Sequence, residues 1–444
     1  MKSKLKTLLL VPALLMMGYT QAQDKKVLTL DEAIDLSLKN SHQLKGDKAK
    51  IDEATAALKE ATEKRLPSAT VSGSYVRLNT ANIVMNTKDN SGSGSGSGES
   101  PKINQAAYGL VNISLPIYQG GRIKYGIESS RYLAEAMRLD AEDDKDEVIQ
   151  NAIEAYANLF KAKSAVRLVK ENLAQSQQRV KDFTNLEKNG ILARNDLLKA
   201  QLQSSNLELS LLDAENNAQY ANLNMDLMLG IPETTELVMD TSGIDKKNDN
   251  RTLEEFVLAA RNGRKDMEAL MLRKKSAETT VKSTKAEMLP SLNLTGGYIA
   301  ADIPHFFTVT NALNVGVGVS YNIASLWKTK SKVQQADARV KQMEATEAIL
   351  DDNIKREVNR NYLNLLSNRK KIEVYVTAVA QAEENYRIVK NKFDNSLATT
   401  TDLLEADVAQ LQARLNYTLA RADAFVTYHK LLQSTGTLSV DLKK

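Results

Sequence analysis

The chain has 444 residues, room for two or three ordinary domains, and with 42% hydrophobic and 26% charged residues it is not a globally disordered sequence. Aromatic residues make up only 5%, low for a thick globular core, whereas Ala, Leu, Asn, Lys, Glu and Gln, the usual makings of long helices, dominate. A net charge of +4 does not by itself point to a nucleic-acid partner, which would need a basic stripe, and the lack of Cys excludes disulfides, thiol catalysis, Cys-based metal sites and lipid attachment at a Cys.

Residues 1–22 read as a secretory signal peptide. Lys2, Lys4 and Lys6 supply the charge, 8–17 the apolar stretch, and Thr20-Gln21-Ala22 a small-residue cleavage site. The apolar stretch is too short to span a bilayer as a helix. The mature chain is then expected to begin at Gln23, and losing the three Lys lowers the net charge from +4 to +1. Beyond it no run of about 18 apolar residues exists, so no transmembrane helix is expected. That leaves a periplasmic protein, a secreted one, or one that enters the outer membrane as β-strands.

The remainder is one unit written twice. Thr29-Leu30-Asp31-Glu32 and Thr252-Leu253-Glu254-Glu255 stand 223 positions apart, and that register holds through Leu66-Pro67-Ser68 against Leu289-Pro290-Ser291. Later the offset becomes 206. Tyr156-Ala157-Asn158-Leu159 meets Tyr362-Leu363-Asn364-Leu365, Asp196-Leu197-Leu198 meets Asp402-Leu403-Leu404, and Gly230 meets Gly436. The first copy therefore holds 17 extra residues, where the alternating Ser-Gly tract 91–98 lies. Such a tract buries no surface and reads as a flexible loop, natural or engineered.

Each copy opens with a short amphipathic helix (30–39 and 253–261), then a second helix that stops before Pro67 or Pro290, because proline is poorly tolerated inside a helix. The period then changes to two. Val111, Ile113, Leu115 and Ile117 face one way in copy one; Leu313, Val315, Val317, Val319, Tyr321 and Ile323 do so in copy two, against Asn314, Gly316, Gly318, Ser320 and Asn322. Ten-residue alternation of apolar with small or polar residues fits a transmembrane β-strand, though any one such strand alone is better read as a half-buried strand of a soluble sandwich. Four of them among helices, behind a signal peptide, favour the membrane. Long helices follow: no Gly or Pro falls between Gly126 and Gly190, or from 319 to 435. A helix of some 63 residues would run roughly 95 Å. Breaks are expected at Asn189-Gly190 and Asn395-Ser396, each followed by a returning helix.

The expected organisation is a signal peptide at 1–22 and a first repeat at 23–230, with a β-hairpin at about 68–118, a flexible loop at 79–105 and a helical hairpin at 122–229. An equatorial linker at 231–251 leads to a second repeat at 252–436, with a β-hairpin at about 291–323 and a helical hairpin at 328–435, and to a tail at 437–444. Four strands cannot close a barrel, and an open strand edge in lipid leaves backbone groups unpaired, so a membrane-spanning form must oligomerise.

At these residues the chain resembles the TolC-like outer membrane efflux proteins. The resemblance runs from Leu28 to about Gly436. It is carried by the duplication, the Leu-Pro-Ser breaks, Ser114-Leu115-Pro116-Ile117-Tyr118-Gln119-Gly120-Gly121, and the two tips. Those tips are Asn189-Gly190-Ile191-Leu192 and Phe393-Asp394-Asn395-Ser396-Leu397. It implies a mainly α protein with a small β part: long antiparallel helical hairpins forming a trimeric α-barrel tunnel, with four strands per chain in a shared 12-stranded β-barrel. It implies a homotrimer in outer-membrane lipid, extending into the periplasm, that joins a periplasmic adaptor (a membrane fusion protein) and an inner-membrane pump. It implies a passive conduit that performs no chemistry and needs no cofactor.

The resemblance also places a pore constriction at Asp402 and Glu405, with Asp196 as a partner on the first tip. A ring of carboxylates favours cations; the plain alternative is two acids near a helix N-terminus, where acids are favoured anyway. Gly190, Ile191, Leu192, Leu397 and Ala398 match the tips that meet the adaptor, and helix capping alone would also explain them. The resemblance calls for an Arg at 398 that ties the closed entrance to a neighbouring helix, but this chain has Ala398. The scattered His42, His305 and His429 have no metal-ligand spacing. Trp327 is either a membrane-interface anchor or a packing residue. The competing reading is a periplasmic coiled-coil scaffold with no pore. No nucleophile–base pair or other catalytic constellation supports an enzyme.

Overall fold

The computed structural model describes residues 25–81, 103–240, 244, 249–304 and 306–441. The signal-peptide reading, the Ser-Gly tract, His305 and most of the expected linker tip lie outside the described residues. Helix dominates, with a small sheet component. In chain order the elements are β1 (Lys25–Leu28), α1 (Leu30–Asn40), α2 (His42–Glu63), β2 (Ser68–Ala81), β3 (Ile103–Gln119), α3 (Arg122–Lys188) and α4 (Arg194–Leu229). There follow β4 (Glu236–Met239), α5 (Leu253–Gly263), α6 (Lys265–Lys285), β5 (Ser291–Ile303), β6 (Phe307–Ser320), α7 (Ser325–Asp394), α8 (Thr400–Ser434) and α9 (Leu438–Asp441). No helix among the described residues is long and apolar enough to cross a membrane.

The chain divides into two compact units. The unit of 47–140 and 266–350 holds a four-stranded antiparallel sheet in the order β2-β3-β5-β6. The two hairpins of the duplication lie side by side, joined by β3 and β5, and among the described residues β2 and β6 are left as open edges. Gly297 permits the close approach at that seam: a Cβ there would stand 2.5 Å from the Val111 carbonyl oxygen. The register slips between Pro116 and Tyr118, where proline offers no N–H to the ladder. β2 and β3 reach Ala81 and Ile103, which pair, so the strands run past the loop bounds expected from composition. The apolar face of β6 is bare: Leu313 is 77% exposed and Val315 85%.

The other unit holds 25–46, 141–265 and 351–441 of the described residues. Thr29 and Thr252, at matching positions, cap α1 and α5 through their side chains, and Thr252 completes a reciprocal cap with Glu255. The linker, expected to be a turn-rich connector, contains β4, which pairs in parallel with β1. Four-residue strands are too short to show alternation, and their partners lie more than 200 residues apart in the chain. The buried Tyr156 hydroxyl of α3 donates to the carbonyls of Leu28 and Asp240, so the small sheet sits on that helix.

Beneath β4, Asn222 of α4 donates to the Thr235 carbonyl and accepts from the Leu237 amide. The same side chain donates to Asp226, which is fully buried and has one oxygen without a partner among the described residues. Burial pushes the Asp226 carboxyl up to about 6; Glu233 adds to the rise, while Asn222 and Lys163 oppose it. The duplicate of Asp226 is Leu432, also fully buried.

Candidate functional site

The two helical hairpins end in tips of one design. α3 closes on Gly190 with φ +72°, and α7 closes on Ser396 with φ +62°. In each, the left-handed residue donates to the carbonyl three back (Glu187 or Phe393). The next residue donates to the carbonyl five back, Ile191 to Leu186 and Leu397 to Lys392. These paired bonds satisfy carbonyls that a helix end would otherwise leave bare.

Beneath the tips lies one shared core. Leu197 of α4 and its duplicate Leu403 of α8 are both 3% exposed, and with Phe183 and Ala200 they form one buried cluster. Phe183 of α3 and Phe393 of α7 stack with ring centroids 5.3 Å apart. The tips are therefore packed against each other within a single chain. Above this core, Ile191 is 71% exposed and Leu397 76%, while Leu192 packs against the cluster. Ala398 is half-buried and Gly190 exposed.

The expected constriction residues occupy the first turns of α8. Asp402 is the third residue of a capping box: its carboxylate accepts from the Thr399 amide at 2.9 Å and the Thr399 hydroxyl at 2.7 Å, and its own amide donates to that hydroxyl. These bonds hold its carboxyl below the usual carboxylate value. Helix capping and exposure thus occur together at this residue. Glu405 is exposed one turn on and has no hydrogen-bond or ion-pair partner among the described residues. Leu403 and Ala406 of the same turn point into the core.

Asp196 lies in the first turn of α4 and meets Lys199 at 3.3 Å; Lys199 also donates to the Thr401 hydroxyl of α8 at 3.1 Å. A lysine beside the first tip thus bridges to the first turn of α8, beside the second.

Sequence reasoning missed a polar centre below the tips. Arg179 of α3 and Asp407 of α8 form a buried ion pair at 2.9 Å, 8% and 0% exposed in their side chains. Asn172 donates to the other Asp407 oxygen and Arg179 reaches the Tyr386 hydroxyl. Burial would depress the Arg179 guanidinium, but Asp407 outweighs it and holds the group above its ordinary value. A signal for the pair exists. Arg179 lies 11 residues before Gly190 and Asp407 lies 11 after Ser396, so both stand at one level below the tips. Their duplicates are the uncharged Asn385 and Gln201. Among the described residues no group of His, Asp or Glu could hold a metal ion.

The sequence model of the outer membrane efflux proteins matches residues 33–231 and 257–437, which takes in both hairpins and both tips. The chain belongs to the outer membrane efflux protein family. It is 20% identical over 349 residues to the outer membrane efflux protein BepC of Brucella suis, a match covering 78% of this chain and 75% of that one. It is 22% identical over 299 residues to the outer membrane protein TolC of Vibrio cholerae, covering 66% and 68%. In fold it is similar to the CmeC outer membrane channel of Campylobacter jejuni, with a TM-score of 0.77 at 18% identity over 93% of this chain and 88% of that one. Membership in the efflux family accounts for a chain whose notable residues cap, pack and present charge. It also makes this chain an outer membrane efflux protein.

Proposed function

We propose that this chain is one third of a trimeric outer-membrane channel-tunnel that conducts substrate passively from the periplasm to the exterior. The observation that carries the reading is the sheet. It has two open edges, β2 and β6, and bares apolar side chains such as Val71, Val315 and Val317 on one face and glycine and polar residues on the other. In lipid every backbone group must be paired, and closed membrane barrels need at least eight strands. Three copies joined edge to edge give twelve, with the apolar face in lipid and the polar face lining water. A pore-free scaffold has no use for such a face.

The helices support the same assembly. α4 leaves Leu198, Leu202, Leu209, Leu212, Tyr220 and Leu227 exposed, at the spacing of a seam that packs on another helix. A second copy of the chain is the partner we assign to it. The tips then form the periplasmic entrance, with Asp402 and Glu405 from three chains around its axis and Asp196 held by Lys199 beside them. Exposed Ile191 and Leu397, with Gly190, Leu192 and Ala398 around them, present a small apolar surface to a periplasmic adaptor, which an inner-membrane pump joins.

The test is extraction from outer membranes in mild detergent, followed by electrophoresis with and without heating and by single-channel recording in planar bilayers. The reading expects an oligomer that falls to monomer on boiling and discrete conductance steps. A monomer without conductance overturns it.

A further inference from the structure

Strand pairing brings four segments of the chain together at one rim of the sheet. β2 begins just after α2, β3 ends just before α3, β5 begins just after α6 and β6 ends just before α7. Register fixes this, since Ser68 pairs with Ser114, Gln119 with Ser291 and Ser291 with Ser320. At the usual strand spacing the four rim segments fall within about 15 Å of one another.

That rim is strongly basic. The segments 59–66, 120–125, 282–289 and 324–332 hold ten Lys and Arg against three Glu, in a chain whose total balance is only +4. Some of the charge is absorbed locally: Lys64 meets Glu60 at 3.3 Å, Lys332 meets Glu287 at 2.7 Å, and Arg122 donates to Gln119. Arg65, Lys124, Lys282, Lys285, Lys328 and Lys330 are exposed and have no carboxylate partner among the described residues. Like charges gathered without carboxylate partners repel one another, a cost to stability that an anion lying against them would offset.

The surroundings indicate which anion. Beside the cations the rim exposes Leu66, Ile117, Tyr118, Tyr321, Ile323 and Trp327, continuous with the bare apolar face of the sheet. Aromatic rings next to lysines at the limit of an apolar band suit the headgroup layer of a bilayer, where long cationic side chains reach phosphate while their stems stay in apolar surroundings. We infer that this rim is a binding surface for anionic glycerophospholipid headgroups on the periplasmic side of the outer membrane. The inference rests on the reading that the sheet spans that membrane. Each basic residue near such a surface strengthens attraction to anionic lipid roughly fivefold, and the effect fades with salt.

The full-length protein, purified from outer membranes in mild detergent, is mixed with equal amounts of phosphatidylglycerol and phosphatidylcholine of matched acyl chains. Retained lipids are counted by native mass spectrometry. The wild type should keep phosphatidylglycerol over phosphatidylcholine by about threefold or more, and raising the ionic strength tenfold should bring the ratio toward one. The variant K282Q/K285Q/K328Q/K330Q should retain both lipids about equally, and replacing the same four lysines with arginine should restore the preference. Equal retention by the wild type, or a wild-type ratio in the glutamine variant, overturns the inference. A salt-insensitive ratio overturns it too and needs no variant. A protein found outside the outer-membrane fraction would instead defeat the membrane reading beneath it.

Discussion

Gly190 and Ser396 stand 206 residues apart and hold the same left-handed backbone, φ +72° and +62°, at the tips of two hairpins. One tip uses the residue that adopts this conformation freely; the other forces a serine into it. Ser396→Gly should therefore stabilise the second tip by about 0.5–1 kcal/mol. Gly190→Ala should destabilise the first by about 1 kcal/mol, for backbone reasons alone, since no atom lies within 4 Å of the added Cβ. Gly230→Ala should cost more than Gly190→Ala, because its Cβ would also press on Asn40 at 3.0 Å. Hydrogen exchange at the tip amides checks the first two changes, and the denaturation midpoint of the purified protein checks the third.

Arg179 and Asp407 predict a different pattern. Removing one partner of a buried ion pair strands the other charge, so Asp407→Ala should cost about 3–5 kcal/mol. The double change Arg179→Met with Asp407→Leu strands nothing and should recover most of that loss. Chemical denaturation of the three proteins side by side reads the difference. Equal losses in the single and double variants would mean that the pair contributes as packing and not as charge.

Asp226 gives stability a pH dependence of definite sign. Its folded carboxyl is raised by burial to about 6, above the ordinary value of 3.8 that it regains on unfolding. The folded chain therefore favours the protonated form, and the associated stability is present at low pH and lost as pH rises from about 4 through 6. Asp226→Asn keeps an acceptor for Asn222 and removes the charge. Its melting midpoint should exceed that of the wild type at pH 7.5, and the gap should close as pH falls toward 4. A constant gap across that range would show that Asp226 does not titrate there.

Much of this could be read in advance, for reasons particular to each element. The alternation from Leu313 to Val319 marked β6 because one face of the strand is apolar along its whole length. Asn189-Gly190 marked the first tip because a left-handed cap favours glycine. β1 and β4 stayed hidden because two four-residue strands depend on tertiary packing on Tyr156 rather than on their own pattern. The Arg179–Asp407 pair stayed hidden because its members lie 228 residues apart and neither looks unusual on its own helix. Asp402 was read as either a pore carboxylate or a helix-terminal acid, and its geometry fits the second role without removing the first.

Those two roles of Asp402 can be separated by experiment. Its carboxylate serves the α8 cap through Thr399 and remains exposed, and Glu405 lies one turn along, exposed and unpaired among the described residues. Thr399→Ala removes the cap and leaves the charge, so it should cost about 1 kcal/mol of stability and leave ion selectivity unchanged. Asp402→Asn with Glu405→Gln removes charge and keeps acceptor oxygens. It should reduce the preference for cations in bilayer recordings, with a smaller effect on stability. Because the Thr399 bonds hold the Asp402 carboxyl below its ordinary value, it stays charged to lower pH than an unassisted aspartate. The wild type should therefore keep a cation preference at pH 5, and the charge-neutral pair should show little at any pH. If the charge-neutral pair matched the wild type in selectivity, the tip acids would be caps only, and the entrance would have to be narrowed by other residues.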